Sequence, residues 1–259
     1  MDDVLVQYTV DRAIATVTLD DPRKRNALSA RLVEQLSAHL RDAGADAGVR
    51  AVVLTHTGST FCAGADLKES AIPGGPARGT ARTLALLQQL LQLPKPVVAR
   101  VDGHVRAGGI GIVGACDMAV AGPAATFAFT EVRLGVAPAL ISLTTLGRMT
   151  DRSVARFFLT GETFTGPVAQ EAGLVTAAVQ DTAAEVDTIC DALRLGSPQG
   201  LAETKALITA GARDAVGQLG EATRALSQRL FESPEAGEGM QALREKRPPS
   251  WATDMAARP

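Results

Sequence analysis

Residues 102–117, DGHVRAGGIGIVGACD, are the part of the chain most informative about its structure. An apolar run at residues 97–101 precedes it and predicts a buried strand, and the small apolar residues from Gly108 to Ala115 predict a helix. The first turn of a helix leaves backbone N–H groups without partners, and glycines let a ligand approach them closely. The stretch therefore predicts a strand that leads into a helix whose N-terminus, at Gly108 and Gly109, faces a ligand.

A second interpretation of the same glycines is a dinucleotide site. Residues 109–114 match the pattern G-x-G-x-x-G, and Glu131 follows 17 residues later. This pattern predicts a pyrophosphate on the helix N-terminus and an oxidoreductase function. Against it, the strand ends at Val101, seven residues before Gly108, and no second mononucleotide-binding half follows. The dinucleotide-binding oxidoreductase is kept as the remote alternative.

A second loop of small residues, at positions 58–66, also follows a buried strand and contains Gly64 and Ala65. Backbone N–H groups from two such loops can converge on one carbonyl oxygen and form an oxyanion hole. Removing one donor from such a site typically costs about 3–4 kcal/mol of transition-state stabilisation. His104 and Arg106 precede the glycines at positions 108 and 109, and we predict structural roles for both.

The composition excludes several function classes. The 259 residues are 46% hydrophobic and 21% charged, which is typical of a globular chain. A formal net charge of -2 and 3% aromatic residues argue against nucleic acid or an anionic membrane as partner. The three cysteines and three histidines have no metal-ligand spacing, so we expect no metal. Odd, widely spaced cysteines fit a reducing cytoplasmic compartment.

Strands and helices alternate along the first two-thirds of the chain, which predicts an α/β fold. We expect strands at residues 4–10, 13–19, 51–55, 97–101, 118–121 and 126–129, and helices at 29–43, 77–93, 108–115, 151–159, 167–172 and 182–195. Ser197 and Pro198 begin a helical C-terminal region, so we divide the chain into a core at residues 1–196 and a helical region at 197–259. Residues 107–130 carry one charge, but five glycines and Pro123 favour buried core over a membrane span.

The ordered motifs along the chain resemble the enoyl-CoA hydratase/isomerase family, also called the crotonase family. The resemblance covers nearly the whole chain. It is carried by PRKRNALS from Pro22, FCAGADLKE from Phe61, residues 103–117, FTEVRLG from Phe129, and EKRPPSW from Glu245. It implies a spiral of ββα units with a C-terminal helical region that packs the protein into trimers or dimers of trimers.

The same resemblance implies an acyl-CoA thioester as ligand, with no further cofactor because CoA is part of the substrate. The backbone N–H groups of Ala65 and Gly108 match the positions that hold the thioester oxygen in the family. The cations Arg23, Lys24 and Arg25 fall in the loop that contacts CoA. The remaining expected substrate or CoA contacts are Ala27, Ala63, Asp66, Leu67, Gly109 and Gly111, although Asp66 also suits a helix N-cap.

The carboxylates depart from the family pattern. Typical hydratases of the family carry two catalytic glutamates, and the matching positions here are Gly111 and Glu131. Only Glu131 is a carboxylate. It lies beside an apolar run, where partial burial would raise its pKa to a useful value.

A single glutamate leaves more than one reaction open. The chain is similar to bacterial hydratases of the 3-methylglutaconyl-CoA type, several of which also carry glycine at the position of Gly111. We therefore predict an enoyl-CoA hydratase, with a double-bond isomerase and a non-catalytic acyl-CoA-binding protein as alternatives. A Gly111→Glu change is expected to raise hydration of a simple 2-enoyl-CoA where the helix face has room.

Overall fold

The computed structural model describes residues 3–252, and its strands come in consecutive pairs whose members mostly belong to different sheets. The strands are β1 (Val6–Asp11), β2 (Ile14–Leu19), β3 (Ala51–His56), β4 (Thr60–Cys62), β5 (Val97–Val101), β6 (His104–Arg106), β7 (Met118–Ala121), β8 (Thr126–Ala128), β9 (Phe164–Thr165) and β10 (Ala177–Ala178).

The helices lie between and after these strands. They are α1 (Ala30–Ala45), α2 (Leu67–Ser70), α3 (Gly75–Gln92), α4 (Gly108–Ala115), α5 (Ala139–Thr145), α6 (Asp151–Thr160), α7 (Gly166–Glu171), α8 (Thr182–Leu195), α9 (Pro198–Ile208), α10 (Ala210–Phe231) and α11 (Pro234–Glu245). Two short 3-10 helices occupy Pro22–Lys24 and Thr130–Leu134.

The ten strands form two sheets. One sheet has the order β1-β2-β3-β5-β7-β10, antiparallel only between β1 and β2, and the other has the order β4-β6-β8-β9, antiparallel only between β8 and β9. The pairs β3–β4, β5–β6 and β7–β8 each place their first strand in the larger sheet and their second in the smaller. A helical segment follows each pair, so the expected ββα repeat is confirmed.

Buried side chains cover both faces of the larger sheet. The main core lies between this sheet, the smaller sheet and the apolar faces of α1, α3 and α4. A second cluster, which includes Ile14, Val53 and Val98, lies on the opposite face against Val186 and Cys190 of α8. Because both faces are covered, the central strand β3 is apolar along most of its length and buried throughout.

The C-terminal helices join the core through a buried ion pair. Lys205 of α9 has a side chain only 1% exposed, and its Nζ lies 2.9 Å from Oδ2 of Asp117, whose side chain is 4% exposed. Lys205 also donates to the carbonyl oxygens of Leu90 and Lys95, at 2.9 and 3.0 Å. Asp117 in turn accepts from the N–H of Val97 at 2.7 Å, so its carboxylate has a structural role.

None of the helices within residues 3–252 is long and apolar enough to span a membrane. Residues 107–130, whose hydropathy raised that possibility, fold instead as α4, β7, β8 and their connections. The final segment of the predicted C-terminal region, residues 253–259, lies outside the described residues.

Candidate active site

The two small-residue loops meet at one end of the smaller sheet. Strands β4 and β6 are parallel neighbours, so the loops that follow them, at Ala63–Ala65 and Ala107–Gly108, leave the sheet side by side. A methyl group added at Gly64, whose φ is +88°, would lie 2.9 Å from Cβ of Ala107 and 3.4 Å from the nitrogen of Gly108. Only a glycine at position 64 allows this approach.

Two backbone donors are available where the loops meet. Gly108 is the first residue of α4, so its N–H has no acceptor within the helix. Within residues 3–252 the N–H of Ala65 makes no hydrogen bond, and Ala65 itself is exposed. The N–H groups of Ala65 and Gly108 are expected to act together, and they follow the ends of the adjacent strands β4 and β6.

The backbone of the second loop is strained. Ala107 has φ 45° and ψ -119°, a conformation that glycine adopts far more easily than alanine. Its N–H donates to the carbonyl oxygen of Ala128 at 3.3 Å, which fixes the loop against β8. Such strain costs about 1–3 kcal/mol, and it concentrates at functional sites.

Glu131 reaches the same end of the sheet from the third strand. It lies in the 3-10 helix that follows β8, and β8 is the parallel neighbour of β6, with Arg106 opposite Ala128. The residue is 7% exposed, and among the described residues no partner bonds its Oε2. Burial raises the pKa of Glu131 to about 7, which confirms the direction expected from its apolar surroundings. A carboxyl group with this pKa both accepts and donates a proton near neutrality.

The segment that carries Glu131 packs closely against α11. A methyl group added at Gly239 of α11 would lie 2.5 Å from the carbonyl oxygen of Leu134. One added at Gly135, whose φ is +73°, would lie 2.6 Å from the carbonyl oxygen of Glu235. At both positions the backbone of α11 contacts the backbone of residues 134–135 directly. This contact fixes the position of the 3-10 helix that carries Glu131.

Gly111 has no room for the carboxylate that the family pattern places there. A methyl group at this position would lie 2.7 Å from Cγ2 of Ile141 in α5. Thr144 of the same helix donates its hydroxyl to the carbonyl oxygen of Gly111 at 2.9 Å. The condition on which Gly111→Glu was expected to raise hydration is therefore not met. Ile141 was missed by sequence reasoning, because its contact with Gly111 spans 30 residues of chain.

The glycines of the G-x-G-x-x-G pattern are explained by packing. Gly109 and Gly111 are buried, and a methyl group at Gly109 would lie 2.7 Å from Cβ of Cys62. A methyl group at Gly114 would lie 2.7 Å from the carbonyl oxygen of Thr144. Close packing inside the protein therefore accounts for these three glycines without a dinucleotide. Contact of Gly109 and Gly111 with substrate stays a prediction.

The three cations are exposed on a loop that is hydrogen-bonded to the segment containing Gly64 and Ala65. Arg23 and Lys24 lie in the first 3-10 helix, and Arg25 follows with φ 55°. The carbonyl oxygen of Arg25 accepts from the N–H of Ala63 at 3.1 Å, and the N–H of Leu28 donates to the carbonyl oxygen of Gly64 at 2.8 Å. The cations are therefore placed next to the donors, free to meet an anionic ligand.

Asn26 shapes this loop and was missed as a functional residue. It is fully buried and adopts φ 51°, which asparagine tolerates better than most residues. Its amide donates to the carbonyl oxygen of Thr60 at 2.7 Å and accepts from the N–H of Asp21 at 2.7 Å. The signal in the sequence was a lone asparagine between a cationic run and a helix N-cap.

The other predicted contacts surround the same segment. Ala27 and Ala63 are half-buried, on the cationic loop and just before Gly64. Asp66 accepts from the N–H groups of Lys68 and Glu69 at 2.8 and 3.3 Å, so the capping interpretation is confirmed. Leu67 is the half-buried first residue of α2.

His104 and Arg106 are used within the smaller sheet. Nδ1 of His104 lies 2.8 Å from the hydroxyl of Thr126, and the Arg106 guanidinium donates to the hydroxyl and the carbonyl oxygen of the same residue. These contacts confirm the structural roles predicted for both. Across the described part of the chain, no group of three or more His, Cys, Asp or Glu side chains could hold a metal.

Comparison with known proteins agrees with this geometry. The model of the family described as "Enoyl-CoA hydratase/isomerase" matches residues 9–254. The chain belongs to this family. It is 34% identical to the "Putative enoyl-CoA hydratase" of Thermus thermophilus over 91% of this chain and 96% of that protein.

Solved structures give the same assignment for the fold. The crystal structure of an enoyl-CoA hydratase from Mycobacterium avium is similar with a TM-score of 0.90 and 48% identity, covering 96% of this chain and all of that one. By sequence, the chain is also 31% identical to the mitochondrial enoyl-CoA hydratase of Pongo abelii, over 92% of this chain and 83% of that protein. The crotonase-type fold is therefore confirmed, and hydratase function is supported at the level of the family.

The packing of Ile141 on Gly111 predicts the outcome of a double-mutant cycle. Gly111→Ala lowers the free energy of unfolding by about 1–3 kcal/mol, because the added methyl group collides with Cγ2 of Ile141. In an Ile141→Ala background the same change costs at least about 1 kcal/mol less, because Cγ2 is gone and only Cβ, at 3.1 Å, still crowds the added methyl group. Urea unfolding measures both values.

The matched control is Gly217→Ala in α10, where an added methyl group meets nothing within 4 Å. It should stabilise the protein by about 0.5–1 kcal/mol. An equal effect of Gly111→Ala in both backgrounds would contradict the assignment of Ile141 as the occupant of this space.

Proposed function

We propose that this protein adds water across the double bond of a 2-enoyl-CoA thioester. The N–H groups of Ala65 and Gly108 hold the thioester oxygen, and Glu131 is the acid–base group. The observation that carries the proposal is the buried carboxyl of Glu131, with its unpartnered Oε2 and its pKa of about 7, at the sheet end where the two donors meet.

A single carboxyl group suffices for the steps of hydration. In its carboxylate form Glu131 accepts a proton from water as the water oxygen bonds to Cβ. The electron pair of the double bond moves towards the carbonyl, and the enolate oxygen accepts hydrogen bonds from Ala65 and Gly108. Glu131 then returns the proton to Cα, which re-forms the thioester carbonyl and yields a 3-hydroxyacyl-CoA. No further cofactor takes part.

Double-bond isomerisation is the second candidate, and the contact between Ile141 and Gly111 favours it. Ile141 excludes a second carboxylate, and moving a double bond needs one base only. Glu131 would remove a proton from C2 of a 3-enoyl-CoA and return it to C4. The same donors would stabilise the intermediate enolate.

A panel of CoA esters separates these reactions. The protein is incubated with 2-enoyl-, 3-enoyl- and 3-methylglutaconyl-CoA, and the products are identified by mass and by double-bond position. A gain of one water supports hydration, and an unchanged mass with a moved double bond supports isomerisation. No change with any ester, together with tight binding, would replace both with an acyl-CoA-binding function.

The exposed cations predict how CoA is bound. Replacing Arg23, Lys24 and Arg25 together with glutamine weakens binding of acetoacetyl-CoA about tenfold at low salt, because each exposed charge pair contributes about 0.2–1 kcal/mol. Isothermal titration calorimetry measures the change, which should shrink as salt is added. Arg152→Gln, at an exposed cation of α6, is the control and leaves affinity unchanged. Binding of NADH in place of the CoA ester would contradict the proposal.

We also propose that the protein works as a trimer or a dimer of trimers in the cytoplasm. Large apolar side chains of the C-terminal half are exposed, among them Leu195 at 90%, Leu207 at 78% and Ile208 at 60%. Burial of such side chains favours self-association. All three cysteines are unpaired, as expected in a reducing compartment. Sedimentation velocity tests the assembly, and a monomer at micromolar concentration would contradict it.

A further inference from the structure

We propose that the carboxylate of Glu69 is a positioning residue for Ala65, and so for one of the two oxyanion donors. The inference rests on the proposed function and adds to it the side chain that fixes this half of the site. Glu69 lies in α2, four residues after Ala65.

Helix α2 is not held by apolar packing. It has four residues, and none of them is buried. Its N-terminus is capped by Asp66, and the hydroxyl of Ser70 donates to the carbonyl oxygen of Asp66 at 3.0 Å, but both contacts are local. Its close backbone contact with the start of α3, at Gly75, fixes one end, and longer-range polar contacts are needed to fix the rest of α2 relative to the core.

Glu69 provides those contacts to two other helices. Both of its carboxylate oxygens lie 3.0 Å from the N–H of Ala30, the first residue of α1. Oε2 also accepts from Nη2 of Arg82 in α3 at 2.8 Å. The Glu69 side chain is 34% exposed and that of Arg82 is 28% exposed. A carboxylate at a helix N-terminus and beside a guanidinium makes charge-assisted bonds, which are stronger than neutral ones.

These bonds secure the segment around Ala65 from both sides. On the N-terminal side, Leu28 donates its N–H to the carbonyl oxygen of Gly64 at 2.8 Å and forms a parallel bridge with Ala65. On the C-terminal side, Glu69 bonds the N–H of Ala30, two residues beyond Leu28. The stretch leading into α1 thus anchors the segment at residue 64 and at residue 69. The Ala65 donor lies between the two anchors.

The chemical consequence falls on the thioester carbonyl. An oxyanion donor acts only when its N–H is already aimed at the oxygen, and removing one donor costs about 10²–10³ in kcat. Releasing the anchor at Glu69 leaves the donor in place but lets it move. We therefore expect a loss of about tenfold in kcat, smaller than full removal, with little change in CoA affinity.

The experiment compares Glu69→Gln and Arg82→Met with Glu221→Gln. The control removes the charge from a surface ion pair of α10, in which Nε of Arg224 also lies 2.8 Å from the carboxylate. Three properties are measured: hydrogen exchange of residues 65–71, kcat separately from KM, and the C=O stretching frequency of a bound, isotope-labelled acyl-CoA. A merely structural role would not change the carbonyl frequency of the bound ligand.

In Glu69→Gln we expect faster exchange at residues 65–71, lower kcat with similar KM, and a carbonyl band shifted towards its frequency in water. Arg82→Met should give the same changes more weakly, because the hydrogen bond between Glu69 and the N–H of Ala30 remains. This variant also keeps the test valid where Glu69→Gln folds poorly. Variants that match the wild type in exchange and carbonyl frequency would overturn the role of Glu69. If the wild-type protein neither turns over enoyl-CoA nor shifts the C=O band of the acyl-CoA, the proposed function itself is overturned.

Discussion

Replacing Glu131 with glutamine lowers turnover of the enoyl-CoA substrate by about 10²–10⁴-fold, the usual contribution of general acid–base catalysis. Affinity for the CoA thioester is retained, because the N–H groups of Ala65 and Gly108 are unchanged. Steady-state kinetics and calorimetry measure the two properties. Glu203→Gln, at an exposed glutamate of α9, is the control and leaves turnover unchanged. Wild-type turnover by Glu131→Gln on every accepted substrate would show that the chemistry lies elsewhere.

Although Glu131→Gln lowers turnover, we expect it to raise the free energy of unfolding. The size of this stabilisation depends on pH. Burial raises the pKa of Glu131 to about 7 in the folded chain, above its ordinary value. The folded state therefore binds more protons than the unfolded state between those two values, and stability falls as pH rises through this window. Glutamine is neutral at every pH, so it escapes this loss.

Urea unfolding at about pH 5 and about pH 8 measures this linkage. At the higher pH we expect Glu131→Gln to be more stable than the wild type by about 3 kcal/mol, and at the lower pH the difference falls to about 1 kcal/mol. The kcat/KM of the wild type for hydration should rise through about pH 7, as the carboxylate forms. A stability difference that is equal at both pH values would mean that the Glu131 carboxyl is solvated.

Lys205→Met is expected to lower the free energy of unfolding by about 3–5 kcal/mol. The substitution leaves the Asp117 carboxylate buried without its cation, and it leaves the carbonyl oxygens of Leu90 and Lys95 without their donor. Urea denaturation measures the change. Lys68→Met, at an exposed lysine, should alter stability by less than about 0.5 kcal/mol.

A double variant tests the cause of this loss. Lys205→Met combined with Asp117→Leu removes both charges, so it should recover part of the stability that Lys205→Met loses. The recovery stays partial, because Asp117 also accepts from the N–H of Val97. If the double variant is less stable than Lys205→Met, the Asp117 carboxylate stabilises the fold through its hydrogen bond with the N–H of Val97 alone.

The elements that could be predicted from the sequence are those with local signals. Ser29 accepts from the N–H of Leu32 and begins α1, and Ser197 with Pro198 begins α9, both as expected. Strands β4 and β6 were missed because each has three residues within a stretch rich in glycine. Their extended conformation comes from pairing with each other and with β8. The ends of β4 and β6 bring together the two loops that carry Ala65 and Gly108.

The candidate site divides in the same way. Glu131 and the two glycine loops could be predicted, since their residue types and order carry the family resemblance. The contacts of Ile141 with Gly111 and of Glu69 with Ala30 could not, because they join residues 30 and 39 positions apart. No local pattern encodes such a contact. The burial of Glu131 likewise depends on contacts with segments that are distant in the sequence.

The close packing of Gly239 on Leu134 constrains how this protein can be recombined with its relatives. A chimera that exchanged the chain from residue 197 onward would take its residue at position 239 from the relative. A side chain there would meet the backbone of the segment that carries Glu131, where a methyl group would already lie 2.5 Å from an oxygen. We therefore expect an exchange of the helical tail to succeed only where the donor also has glycine at position 239. In such an exchange the tail and the segment that carries Glu131 behave as one unit.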